Sequence, residues 1–138
     1  MELFLPQKCL FGRFYRNRLD FVSIDDNLLN LLDGAFSNLP IPVHRGATWT
    51  TDAPFRETDQ AIRQARLLGI VAVEMEAAGL YAFAQARARP VVCIAHVTNR
   101  MGNVEGDFEK GEEFGSRDAL RLIAATAKAW LSVNARET

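Results

Sequence analysis

Two carboxylates two residues apart, Glu74 and Glu76, flank Met75 at a point where the chain changes character. Upstream, Ile70 to Val73 is a short apolar run rich in β-branched residues, which reads as a buried strand. Downstream, an alanine-rich stretch with Leu80, Tyr81 and Phe83 reads as a helix with little exposed face. Open α/β sheets place ligands outside the carboxyl ends of their strands. A carboxylate there can accept hydrogen bonds from paired hydroxyls, as on a sugar. The alternative is that both glutamates only complement the positive end of the helix dipole. A second polar pair, Thr98-Asn99, closes the apolar run Val91 to Val97 in the same way. A third group lies in the stretch from Gly46 to Arg56, which crowds hydroxyls, Trp49, Asp52, Phe55 and Arg56 together. Loops that carry aromatics on a rigid scaffold are frequent binding sites. The alternative puts Trp49 and Phe55 in the core and Thr51-Asp52 in a turn.

The elements that must position these groups follow from periodicity and caps. Asp25 or Asp26 caps a helix through Leu28, Leu29, Leu31, Leu32 and Phe36, which Pro40 ends. Val43 to Thr50 reads as a strand, with Gly46 allowing close backbone approach. Glu57 to Leu68 is an amphipathic helix closed by Gly69. The central strand and helix follow, Arg89-Pro90 ends that helix, and Val91 to Val97 is a further strand. Met101 to Gly115 is a glycine-rich, charged loop able to act as a lid, and its segment Asp107 to Glu113 reads as solvated surface. Ser116 caps a last helix through Leu120, Ile123, Ala124, Ala127 and Leu131. Residues 1–20 mix apolar residues with Arg13, Arg16 and Arg18 without a clean period, and are expected to form an extended interface arm. Alternating helices and strands imply an α/β layered fold with a mostly parallel or mixed sheet. Only three strands are evident, which is narrow for such a fold.

Composition sets the outer bounds. The chain has 138 residues, 49% apolar and 24% charged, enough for one domain with a core. A net charge of −1 supplies no basic field for nucleic acid. No apolar run approaches the length of a membrane span, and the N-terminus lacks the basic and apolar regions of a signal peptide. The two cysteines, Cys9 and Cys93, lack metal-ligand spacing, so reduced thiols and a cytoplasmic setting are expected. His44 and His96 each read as core histidines. With no third ligand at metal spacing, no metal site or bound cofactor is expected.

These motifs carry a resemblance. Gly69 to Ala84 resembles the Val-Glu-Met-Glu-Ala signature of the nucleoside phosphorylase superfamily, which includes purine nucleoside and uridine phosphorylases. Methylthioadenosine/S-adenosylhomocysteine nucleosidase and AMP nucleosidase share it. Gly46 to Asp52 resembles the family's Gly-x-x-(aromatic)-(Ser/Thr)-x-Asp segment, and Val97-Thr98-Asn99 resembles its Val-Ser-Asp or Ile-Thr-Asn strand end. The motifs occur in the family's order, over roughly Val43 to Trp130. The resemblance implies a phosphorylase/hydrolase-like three-layer α/β/α sandwich. It implies that Glu76 binds the ribose 2′- and 3′-hydroxyls, with Glu74 supporting the 2′ side and Met75 packing on the sugar. Trp49 would line the base pocket, and Asn99, next to Thr98, would hydrogen-bond the departing purine. Asn99 can donate a hydrogen bond but cannot act as an acid. An anionic Glu76 suits the oxocarbenium-like state of N-glycosidic cleavage.

The departures from the family are specific. Its members are about twice as long, and no glycine-rich strand-to-helix turn of the phosphate-binding kind precedes residue 46. Arg56 and Arg13 are available cations, but neither has a family phosphate role that transfers, and Asp52 could serve as an acid near the base only if it points into the pocket. The chain thus resembles a truncated, C-terminal half of a nucleoside phosphorylase, a single partial domain over 1–138. The leading expectation is phosphorolysis of a purine or other nucleoside to free base and ribose 1-phosphate, with phosphate as co-substrate, unless loss of the phosphate side leaves it inactive. A non-catalytic nucleoside-binding or self-associating remnant is the second reading, and a hydrolytic nucleosidase the third. A homo-oligomer is expected, with no nucleic-acid or membrane partner.

Overall fold

The computed structural model describes residues 2–11, 20–98 and 112–134. Its elements in chain order are β1 (Glu2–Phe11), β2 (Asp20–Ser23), α1 (Asp26–Leu31), β3 (Val43–Thr50), α2 (Asp59–Leu67), β4 (Ile70–Glu74), α3 (Ala77–Arg87), β5 (Ala95–Val97) and α4 (Ser116–Asn134). Five strands form one sheet in the order β2-β1-β3-β4, with β5 pairing to β1. β1 and β2 are antiparallel, from Lys8 opposite Ser23 to Phe11 opposite Asp20. β3 and β4 are parallel, with Thr48, Trp49 and Thr50 opposite Ala72, Val73 and Glu74. The α/β fold with a mixed sheet is therefore as the alternation of elements implies.

The segment expected as an interface arm differs. Glu2–Phe11 is an interior strand of the sheet, and Leu3, Phe4, Leu5, Cys9 and Leu10 are all buried. A strand covered on both faces reads as a continuous apolar run rather than an alternating one, and Pro6 interrupts even that. The basic residues that blurred the pattern, Arg13, Arg16 and Arg18, lie outside the described residues, as does the expected loop up to residue 111. The expectation of three strands is corrected to five among the described residues.

The chain divides into two compact units. One comprises residues 5–24 and 45–95. Within it, successive residues of each strand serve opposite faces. Leu10 and Trp49 join Ala61 and Ala65 of α2 and Ile70 of β4 in one apolar cluster. On the other face, Cys9 and Thr48 approach each other at 3.2 Å, and Thr50 meets the start of α3. Strand period two thus sorts consecutive side chains between two helical layers. Thr58 caps α2 by accepting from the Ala61 amide at 3.3 Å, and Gly69 turns the chain beyond α2 at φ +71°. α3 packs through Ala77, Ala78 and Tyr81 but leaves Leu80 45% and Phe83 54% exposed, so the expected all-round burial is not seen. The Tyr81 hydroxyl donates to the Pro6 carbonyl at 2.6 Å and accepts from the Cys93 amide at 3.4 Å. That amide is turned to Tyr81 rather than to a neighbouring strand, and the strand expected over 91–97 is confined to Ala95–Val97.

The other unit comprises residues 1–4, 25–44 and 96–138. Asp25 caps α1 by accepting from the Leu28 amide at 3.0 Å, and α1 packs against α4. Leu3, Phe4, Leu28, Leu32, Phe36 and Leu122 are its buried apolar residues. Gly115, at φ +74°, ends the short turn before α4 with its α-carbon against the His96 ring.

Candidate functional site

The junction between β4 and α3 gathers the polar groups. β3 presents Thr48 and Thr50 on the face that α3 covers, both hydroxyls buried, and β4 ends on Glu74 directly opposite Thr50. The Glu74 carboxylate accepts on both oxygens. Oε1 receives the Thr48 hydroxyl at 3.2 Å and the Thr50 hydroxyl at closer range. Oε2 receives the backbone amides of Glu76, at 2.8 Å, and of Ala77. The Thr50 hydroxyl in turn accepts from the Ala78 amide at 3.0 Å. Three amides at the start of α3, which a helix cannot satisfy internally, are thereby paired by side chains. A negative charge at this end also complements the helix dipole. The Glu74 carbonyl accepts from the Thr51 amide at 2.9 Å, so backbone and side chain of Glu74 are held together against β3.

Glu76 stands differently. It occupies the cap position of α3 without capping through its own side chain, and it is exposed, one oxygen accepting from the Met75 amide at 3.3 Å. Met75 is also exposed beside it. The structure therefore brings Glu74, Met75 and Glu76 to one strand end, with one carboxylate engaged inside the protein and the other turned to solvent. Such a solvent-facing carboxylate can accept two hydrogen bonds from a vicinal diol and can stabilise positive charge that develops on a sugar.

The remaining predicted residues are placed as follows. Trp49 is 1% exposed in the apolar cluster on the opposite face of β3 from Thr48 and Thr50, while Phe55 is exposed. The core alternative weighed for both aromatics thus describes Trp49 and not Phe55. Asp52 and Arg56 form an ion pair with each other, and the Arg56 guanidinium lies 5.5 Å from the centre of the Phe55 ring. Thr98 belongs to the other unit, half-buried and directly after β5. Asn99 lies outside the described residues. Thr48 and Thr50 are the residues that sequence reasoning left without a role. Their signal was present in Thr-Trp-Thr, which sends two hydroxyls to one face and an indole to the other. Among the described residues no cluster of three or more metal-ligating side chains occurs, and no helix is long and apolar enough to cross a membrane.

Residues 9–130 match the model of the phosphorylase superfamily. No curated protein sequence matches the chain. Among solved structures it is similar to a Borrelia burgdorferi protein described as a 5′-methylthioadenosine/S-adenosylhomocysteine nucleosidase, bound to adenine, at a TM-score of 0.73 and 17% identity over 92% of this chain and 60% of that one. It is also similar to the corresponding nucleosidase of Campylobacter jejuni, at a TM-score of 0.61 and 17% identity, covering 96% of this chain and 59% of that one. A futalosine hydrolase mutant of Helicobacter pylori aligns at a TM-score of 0.58 and 15% identity over 99% of this chain and 60% of the other. The chain thus spans about 60% of the length of these structural neighbours.

Proposed function

The chain belongs to the phosphorylase superfamily, and from that premise we propose that it binds a nucleoside through its ribose and cleaves the N-glycosidic bond with water. The observation that carries ribose binding is the exposed Glu76 carboxylate at the β4–α3 junction, beside a Glu74 whose oxygens are already occupied. In this reading Glu76 accepts from the 2′- and 3′-hydroxyls and Met75 packs on the sugar. The anionic Glu76 lowers the cost of the oxocarbenium-like state as the base departs. Water rather than phosphate as nucleophile draws its support from the neighbours, which carry the names of nucleosidases and a hydrolase.

The test is release of free base from 5′-methylthioadenosine, S-adenosylhomocysteine and inosine, with and without phosphate, followed by chromatography. Release that is indifferent to phosphate is expected. Glu76→Ala should lower kcat/KM by about 10²-fold or more, the scale of losing a group that positions substrate or stabilises the transition state. The role that the family resemblance implies for Asn99, a hydrogen bond to the leaving base, is tested in the same assay by Asn99→Ala. Release only with phosphate would restore phosphorolysis as the reaction. Nucleoside binding without release would identify a non-catalytic binding domain.

A further inference from the structure

We propose that Glu74 is a positioning residue and not a ligand of the sugar: pinned by Thr48 and Thr50, its carboxylate caps α3 and fixes the backbone that carries Glu76. This role presupposes that Glu76 holds the ribose hydroxyls. An ionised carboxylate offers about four lone-pair sites. At Glu74 four donors occupy them: the hydroxyls of Thr48 and Thr50 on Oε1, and the amides of Glu76 and Ala77 on Oε2. No site is left for a sugar hydroxyl. One of the four donors is the amide of Glu76 itself, so the peptide from which the free carboxylate projects is held by its neighbour.

Thr50 completes the device. Its hydroxyl donates to Glu74 and accepts from the Ala78 amide, joining the ends of β3 and β4 to the first turn of α3. Thr48 and Thr50 are buried, so water is not at hand to replace either hydroxyl. Placement of a binding carboxylate matters steeply, since a shift of about 1 Å in a site costs on the order of 10²-fold.

The experiment compares wild type, Thr50→Val, Thr50→Ser, Glu74→Gln and Glu76→Ala in the full chain. Calorimetry measures affinity for adenine and for formycin, an adenosine isomer whose carbon–carbon glycosidic bond does not hydrolyse. Thr50→Val and Glu74→Gln should weaken formycin by about tenfold or more, as expected for a lost hydrogen bond to a charged group. Affinity for adenine, which has no ribose, should stay within about twofold, and Thr50→Ser should restore formycin binding. A merely destabilised fold would weaken both ligands alike. Ligand-free hydrogen exchange supplies the second readout: Ala77 and Ala78 amides should lose protection in Thr50→Val and Glu74→Gln, while the Ala65 amide of α2 keeps its own. Unchanged exchange, or equal loss of both ligands, overturns the proposal. Formycin weakened by Glu76→Ala but not by Thr50→Val or Glu74→Gln overturns positioning alone. Formycin unaffected by Glu76→Ala overturns the ribose site, and the positioning role with it.

Discussion

On β1 and β3, neighbouring residues answer to different surroundings, and this decides their chemistry. Cys9 faces Thr48 at 3.2 Å, and Thr48 lies equally far from Glu74 Oε1. A carboxylate only accepts, so the Thr48 proton belongs to Glu74, and the thiol keeps its own proton towards the hydroxyl oxygen. Burial enforces that order by pushing the Cys9 thiol up to about 12 and Cys93 to about 11. A thiol raised in the folded chain stabilises the fold fully below its ordinary value of 9.0, and this stability is lost as pH climbs towards about 12. Stability in urea should therefore fall between those limits, by up to about 1.4 kcal/mol per pH unit for each such thiol. Cys9→Ala should reduce that slope by one proton, and an unchanged slope would show that Cys9 ionises alike in both states. The sequence made the carboxylate pair legible because Glu-Met-Glu sits at a visible change from strand to helix. It did not show which glutamate is free, since the partners of Glu74 lie 24 and 26 residues upstream and meet it only through sheet register.

Elements were legible where one face meets water and obscure where both are covered. α2 announced itself by periodicity, and the caps at Asp25 and Thr58 form as their residue types require. β1 did not, because an interior strand has no polar face to set a period. The shortness of β5 was likewise hidden, because the Cys93 amide turns to a tyrosine 12 residues away. The turn before α4 shows what such closeness implies. Gly115 adopts φ +74°, and a β-carbon there would collide with the His96 ring. Left-handed backbone costs a residue with a side chain about 1–2 kcal/mol, and overpacking adds a similar amount. Gly115→Ala should thus destabilise the fold by about 2–4 kcal/mol in urea titration. If the collision contributes, adding His96→Ala should recover part of the loss. A double variant as unstable as the sum of the two single ones would assign the whole cost to the backbone.

The chain carries little net charge, −1, and leaves apolar side chains in solvent. On α4, Leu120, Ile123 and Leu131 are 65%, 53% and 64% exposed. Their spacing of three and eleven residues places them on one side of the helix, with Ala124 and Ala127 between them and no charge among these five. Monomeric proteins rarely present contiguous apolar patches of more than a few hundred Å², and a near-neutral molecule has weak repulsion to oppose contact. Self-association follows as the expected behaviour in solution. Sedimentation velocity across a concentration series should show a species larger than 15.4 kDa that grows with concentration. Leu120→Lys combined with Leu131→Lys should shift it towards the monomer, because each desolvated lysine costs more than the apolar contact it replaces contributes. The double variant should keep its helical circular dichroism, as both side chains are solvent-facing in the folded chain. Association unchanged in the variant would move the contact to another apolar surface, and a wild type monomeric at every concentration would show that the α4 face is left to solvent.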